Sequence, residues 1–103
     1  MIVRAWNRDY SLSPQYVAKA QDAILNAITS GRATDPERNP IEGESLSHVV
    51  AQVRMAHLKF PGAWADQKAI LNALGFKIIK GRVLQSAKGG MRPGRVCDIV
   101  TLA

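Results

Sequence analysis

Trp64-Ala65-Asp66-Gln67-Lys68-Ala69-Ile70-Leu71-Asn72-Ala73-Leu74-Gly75 runs straight into Phe76-Lys77-Ile78-Ile79-Lys80-Gly81-Arg82-Val83-Leu84-Gln85. Next comes Ser86-Ala87-Lys88-Gly89-Gly90-Met91-Arg92-Pro93-Gly94-Arg95, and a largely apolar run to Leu102 follows. The first segment reads as a short helix over 64–74, with Asp66 in the first turn, where the helix dipole favours an acid. Gly75 ends it as a left-handed cap. Phe76 to Gln85 and Arg95 to Leu102 are rich in β-branched residues and read as two strands of a hairpin spanning 76–102. Its tip carries Lys88, Arg92 and Arg95 and no acid.

Charge placement singles out the same region. The chain of 103 residues carries a net charge of +6. Residues 1–76 hold eight Lys or Arg against seven acids, whereas residues 77–103 hold six bases against Asp98 alone. Positive potential gathered in one segment predicts an anionic partner. The length suits a single domain, 1–103, with one core. A 47% apolar fraction with 21% charged residues is that of a globular chain rather than a disordered one. The single Cys97 excludes an internal disulfide and a cysteine-built zinc site, and suits a reducing compartment. No apolar run approaches the roughly 20 residues of a membrane span, and Met1 to Arg8 lacks the apolar core of a signal peptide. A cytoplasmic protein that does not engage membranes is therefore expected.

Upstream, Met1 to Trp6 reads as a short strand and Asn7 to Leu12 as a polar connection. Ser13-Pro14 is a helix start, a capping hydroxyl followed by a proline whose missing N–H costs nothing. The helix is expected over 13–30, with Val17, Ala20, Ile24, Ala27 and Ile28 on one face, and to stop at Gly31. Arg32 to Glu44, with two prolines and mixed charges, reads as a loop. Ser45 or Ser47 starts a second helix over 45–59, whose buried stripe is Leu46, Val49, Val50, Val53, Ala56 and Phe60. Phe60-Pro61-Gly62-Ala63 is a turn. Trp64, Ile70, Leu71 and Leu74 then face the core from the third helix.

Two helices joined by a short turn, followed by a basic hairpin, resemble the element order of a winged helix-turn-helix domain. The resemblance covers Ser45 to Ala103, with Ser13 to Ser30 as the first helix. It implies an α+β fold with three winged-helix-like helices and a C-terminal hairpin. Many such domains place a short strand between the first two helices; here that segment is a proline-rich loop, and the short N-terminal strand is expected to pair with the hairpin in its place. It further implies double-stranded DNA as partner, with helix 64–74 in the major groove and 86–95 as a wing on the backbone. On that helix the exposed Gln67, Lys68 and Asn72 suit base edges and phosphates. Along the hairpin, Lys77, Lys80 and Arg82 extend the field of Lys88, Arg92 and Arg95. Met91 at the tip has the character of an apolar wedge. A homodimer accords with such modules, because one of them buries a modest interface.

Each of these features also has an ordinary explanation. Polar residues on one side of a helix are universal, and lysines protect sheet edges from aggregation. Two other functions share the charge pattern: an inhibitor or adaptor of phage type that binds a protein partner through the hairpin, and an RNA-binding protein. Enzymatic chemistry has no support in the residues. His48 and His57 stand nine positions apart and point to opposite sides of a helix. The acids Asp35, Glu37, Glu42 and Glu44 have no metal-ligand spacing, and the serines have cap or turn roles. Gly89-Gly90 leads into a strand and lacks the helix dipole a nucleotide loop needs. No catalytic residue, metal ligand or cofactor is expected. Cys97, among Val96, Ile99 and Val100, reads as buried. Trp6 and Trp64 read as core anchors in preference to stacking platforms.

Overall fold

In the computed structural model, residues 1–103 are described apart from the side chains of Ser86 and Ala87. Three helices, α1 (Pro14–Thr29), α2 (Leu46–Met55) and α3 (Trp64–Ala73), pack against a curled sheet. That sheet is built from β3 (Ala33–Thr34), β4 (Gly43–Ser45), β5 (Phe76–Ala87), β6 (Gly90–Pro93) and β7 (Cys97–Leu102). Its order is β3-β5-β7-β4, with β6 paired to the outer half of β5. A separate two-stranded ribbon joins β1 (Ile2–Arg4) to β2 (Asp9–Ser11).

This arrangement corrects the winged-helix expectation. The chain is α+β, but a curled sheet organises it rather than a three-helix core with a wing. The N-terminal strand pairs with β2, inside the segment expected to be a polar connection, and not with the C-terminal hairpin. The expected loop 32–44 supplies two strands on opposite sides of the sheet: Ala33 and Thr34 pair with Val83 and Arg82, and Gly43 to Ser45 pair with Ile99 to Thr101. Strands of two and three residues carry no readable alternation. They exist because the long β5 and β7 offer them a ladder.

The helices form where capping and periodicity dictate. Ser13 Oγ accepts the Tyr16 N–H and Ser45 Oγ accepts that of His48, satisfying donors that the first turn leaves open. Ala20, Ile24, Ala27 and Ile28 of α1 meet Leu46, Val49, Val50 and Val53 of α2 in one core. From α3, Ile70 and Leu71 complete that core with Phe76 and Val100. Helix α2 ends four residues before the expected boundary. His57, just past its end, takes φ 62° and donates its N–H to the Arg54 carbonyl, while Leu58 N–H reaches Val53. This left-handed cap prefers glycine, because a Cβ there costs roughly 1–2 kcal/mol. His57→Gly is therefore expected to raise stability by about 1 kcal/mol, read as a higher urea midpoint with an unchanged slope.

On β7, Ile99 and Val100 are both 0% exposed. Successive side chains point to opposite faces, so Val100 joins the helix core while Ile99 fills the inside of the curl. Glycine permits that curl. A Cβ built on Gly81 would lie 2.4 Å from the Thr34 carbonyl oxygen and 2.8 Å from Ile99 Cγ1. One built on Gly31, where α1 hands over to β3, would lie 2.1 Å from the Gly43 carbonyl oxygen.

The β1–β2 ribbon is fastened to α3 through Asp66, which is 1% exposed. Its carboxylate accepts the Asn7 N–H at 3.0 Å and the Tyr10 hydroxyl at 2.7 Å. The Asn7 amide, more than any other neighbour, holds this carboxyl below the usual aspartate range. A carboxylate with a depressed folded-state pKa stabilises fully above its unfolded value, and loses that contribution as pH falls through the folded one. Asp66→Asn is thus expected to lower the urea midpoint at neutral pH. It should also shrink the loss of stability between neutral pH and the acid side of the ordinary aspartate range, measured by urea titration at both.

Candidate nucleic-acid interface

β5 is one uninterrupted strand of 12 residues, roughly 40 Å long at the usual rise. Its inner half, Phe76 to Gly81, pairs with β7, and its outer half, Leu84 to Ala87, pairs with β6. The chain reverses through Lys88 and Gly89, with φ 88° at Gly89 and 129° at Gly90, values glycine adopts without a Cβ penalty. The outer half is a two-stranded arm that leaves the body, and the molecule measures 46 × 23 × 21 Å.

The six bases of this segment divide into two groups. Lys80 Nζ donates to Asp98 Oδ1 at 2.8 Å, the one ion pair among the described residues. Trp64 Nε1 donates to the other oxygen of Asp98 at 2.9 Å. These contacts, Lys80 first, hold the Asp98 carboxyl below the usual range. Arg82 spans the root of the arm, donating from Nη1 to the Gly94 carbonyl at 2.9 Å and from Nε to that of Pro36 at 3.3 Å. Lys77, Lys88, Arg92 and Arg95 are exposed and make no ion pair or side-chain hydrogen bond among the described residues. By strand alternation and register, Lys80 and Arg82 lie on one face, while Lys77 and Arg92 (opposite Gln85) lie on the other. On the arm itself the basic side chains are Arg92, on that second face, and Lys88, in the turn, with Arg95 just beyond β6.

The α3 residues are differently placed. Gln67 is half-buried and donates from Nε2 to the Pro61 carbonyl at 2.9 Å, which ties down the turn before the helix. Lys68 lies over the Trp64 ring, 5.2 Å from its centroid, and Asn72 is exposed. Helix α3 sits between the β1–β2 ribbon, held through Asp66, and the sheet, held through the Trp64–Asp98 bond. The winged-helix architecture from which the major-groove role of α3 was expected is not the one this chain adopts.

Neither tryptophan is the core anchor expected from the sequence, since Trp6 is 85% and Trp64 49% exposed. Trp64 escapes burial because it opens its helix beside Asp98 and uses its N–H there. Cys97 is half-buried, and burial first, then the nearby Asp98 and Glu44, pushes its thiol above the ordinary range, so it is no ready nucleophile. Arg32, which sequence reasoning passed over, reaches the arm by donating from Nη1 to Met91 Sδ at 3.8 Å. Its only early signal was its place beside the glycine that ends α1. Met91 is 42% exposed. Among the described residues no cluster of His, Cys, Asp or Glu could hold a metal ion, and no helix is long and apolar enough to cross a membrane. No family model, curated protein or solved structure matches the chain.

Proposed function

We propose that the protein binds double-stranded DNA with the β5–β6 arm, as a transcriptional regulator or DNA-maintenance factor of a reducing, cytoplasmic setting. The observation that carries the reading is the freedom of Lys88 and Arg92, exposed on a protruding ribbon, and of Arg95, exposed just beyond β6, while Asp98, the segment's one acid, is spent on Lys80 and Trp64. A two-stranded ribbon fits the major groove of a duplex, where Arg92 on one of its faces and Lys88 at its turn reach the phosphate walls. Lys77 extends the field towards the body, while Lys80 and Arg82 fix the root of the arm. Each phosphate neutralised releases counterions, so affinity falls steeply with salt.

The test is a gel shift against random duplex DNA, single-stranded DNA and structured RNA at two salt concentrations. Duplex DNA is expected to bind tightest and to lose affinity as salt rises. Structured RNA outcompeting the duplex would move the function to RNA. Binding to one protein partner, with no retention on heparin at physiological salt, would replace the nucleic-acid reading with that of an inhibitor or adaptor.

A further inference from the structure

Away from the arm, a cavity of about 740 Å³ opens between β2, the start of α1 and the end of α2. Its volume lies within the range of small-molecule sites, roughly 300–1,000 Å³. Four basic side chains line it, Arg8, Arg54, His57 and Lys59, and among the described residues of its lining there is no carboxylate. The nearby Asp66 stands behind Tyr10, committed to that hydroxyl and to the Asn7 amide.

Two of the four basic side chains, Arg8 and Arg54, are held by contacts of their own, whereas those of Lys59 and His57 are exposed. The Arg8 guanidinium lies over the Tyr10 ring at 4.8 Å from its centroid, a stacking that leaves the N–H edge available to an anion. Arg54 donates from Nη2 to the Phe60 and Pro61 carbonyls at 3.1 and 3.3 Å, which fixes its plane at the wall. The Tyr16 hydroxyl donates to the Lys59 carbonyl, tying α1 to the segment after α2. His57 occupies the wall at φ 62°, where glycine would be less strained, and such outliers gather at ligand sites. Between these groups the surface is apolar, formed by Leu58, Phe60 and the two tyrosine rings.

We propose that this cavity binds a small phosphate monoester joined to a flat apolar ring, the chemistry of a nucleoside monophosphate. The guanidinium of Arg8 and the ammonium of Lys59 take the phosphate, and the ring lies against the tyrosines and Phe60. Guanidinium edges suit phosphate oxygens pairwise, and a ring without its charge forgoes the contacts that the basic residues of the lining supply. A free nucleotide and the phosphorylated end of a nucleic-acid strand share this chemistry. The site is separate from the arm and does not depend on the arm's function.

Amide spectra of the full chain, titrated with adenosine monophosphate, adenosine and inorganic phosphate, test it. Adenosine monophosphate should shift the amides of residues 8–13 and 54–60, and bind about tenfold tighter than either fragment. Arg8→Gln and Lys59→Gln, both exposed positions, should each weaken it about fivefold, while Ala at Lys88, Arg92 and Arg95 should leave it unchanged. A short DNA strand that shifts these amides only when its 5′ end is phosphorylated would identify a strand end as the natural source; binding of the mononucleotide alone would identify a free nucleotide. Shifts confined to the arm, no shifts at millimolar ligand, or equal binding of inorganic phosphate would each overturn the proposal.

Discussion

Replacing Lys88, Arg92 and Arg95 together by alanine is expected to weaken duplex binding by roughly 30-fold or more at physiological salt. It should also lower the slope of log affinity against log salt by about 2.7, since each phosphate contact on a duplex contributes about 0.9. The three side chains are exposed and free of ion pairs among the described residues, so their loss removes charge without breaking the fold, and the thermal midpoint should hold. Lys19→Ala, which removes one exposed charge from α1, should change neither number appreciably. Fluorescence polarisation of a labelled duplex over a salt series measures both. An unchanged slope in the triple variant would remove the arm from the interface.

The largest effect on stability is expected at Gly81. Its substitution by alanine places a methyl 2.4 Å from the Thr34 carbonyl oxygen and 2.8 Å from Ile99 Cγ1, so β3 and β5 must separate or Ile99 must leave the curl. Overpacking of this kind costs about 3 kcal/mol, which for a chain of this size lowers the thermal midpoint by roughly 15 °C. Gly31→Ala should behave alike, because its methyl would meet the Gly43 backbone and not a movable side chain. Gly62→Ala is the control: no atom lies within 4 Å of its built Cβ, and the change should stay within about 0.5 kcal/mol. Thermal melts of the three variants, followed by circular dichroism, decide the matter. A Gly81→Ala protein as stable as Gly62→Ala would mean that the curl is looser than described.

The three helices were legible because each carries its own instructions. Ser13-Pro14 marks a start, Val49, Val50 and Val53 form a stripe, and Gly75 at φ 101° closes α3 as its position before a strand suggests. The hairpin was legible from Ile78, Ile79, Ile99 and Val100 flanking a glycine-rich tip. What stayed hidden is the curl. Ala33-Thr34 and Gly43-Glu44-Ser45 sit among prolines and charges, and their strand character comes from partners about fifty residues away in the chain. One cue was present: a glycine inside the apolar β5 pattern marks a close approach of another backbone, and Gly81 is that residue. Of the basic residues chosen for the interface, charge counting could not tell the free Lys88, Arg92 and Arg95 from Lys80, which meets Asp98, or Arg82, which meets carbonyls. That distinction depends on register, which sets Lys80 opposite Asp98.

A single strand passes from the helix-packed body to the tip of the arm without interruption, so the backbone of the projection is that of the sheet itself. A spin label at its end should reorient with the whole molecule on the nanosecond scale, and not independently of it. A load applied to that end is transmitted along β5 to Gly81 and the ladder with β3, so a duplex gripped by the tip pulls directly on the part of the molecule with the least room to yield.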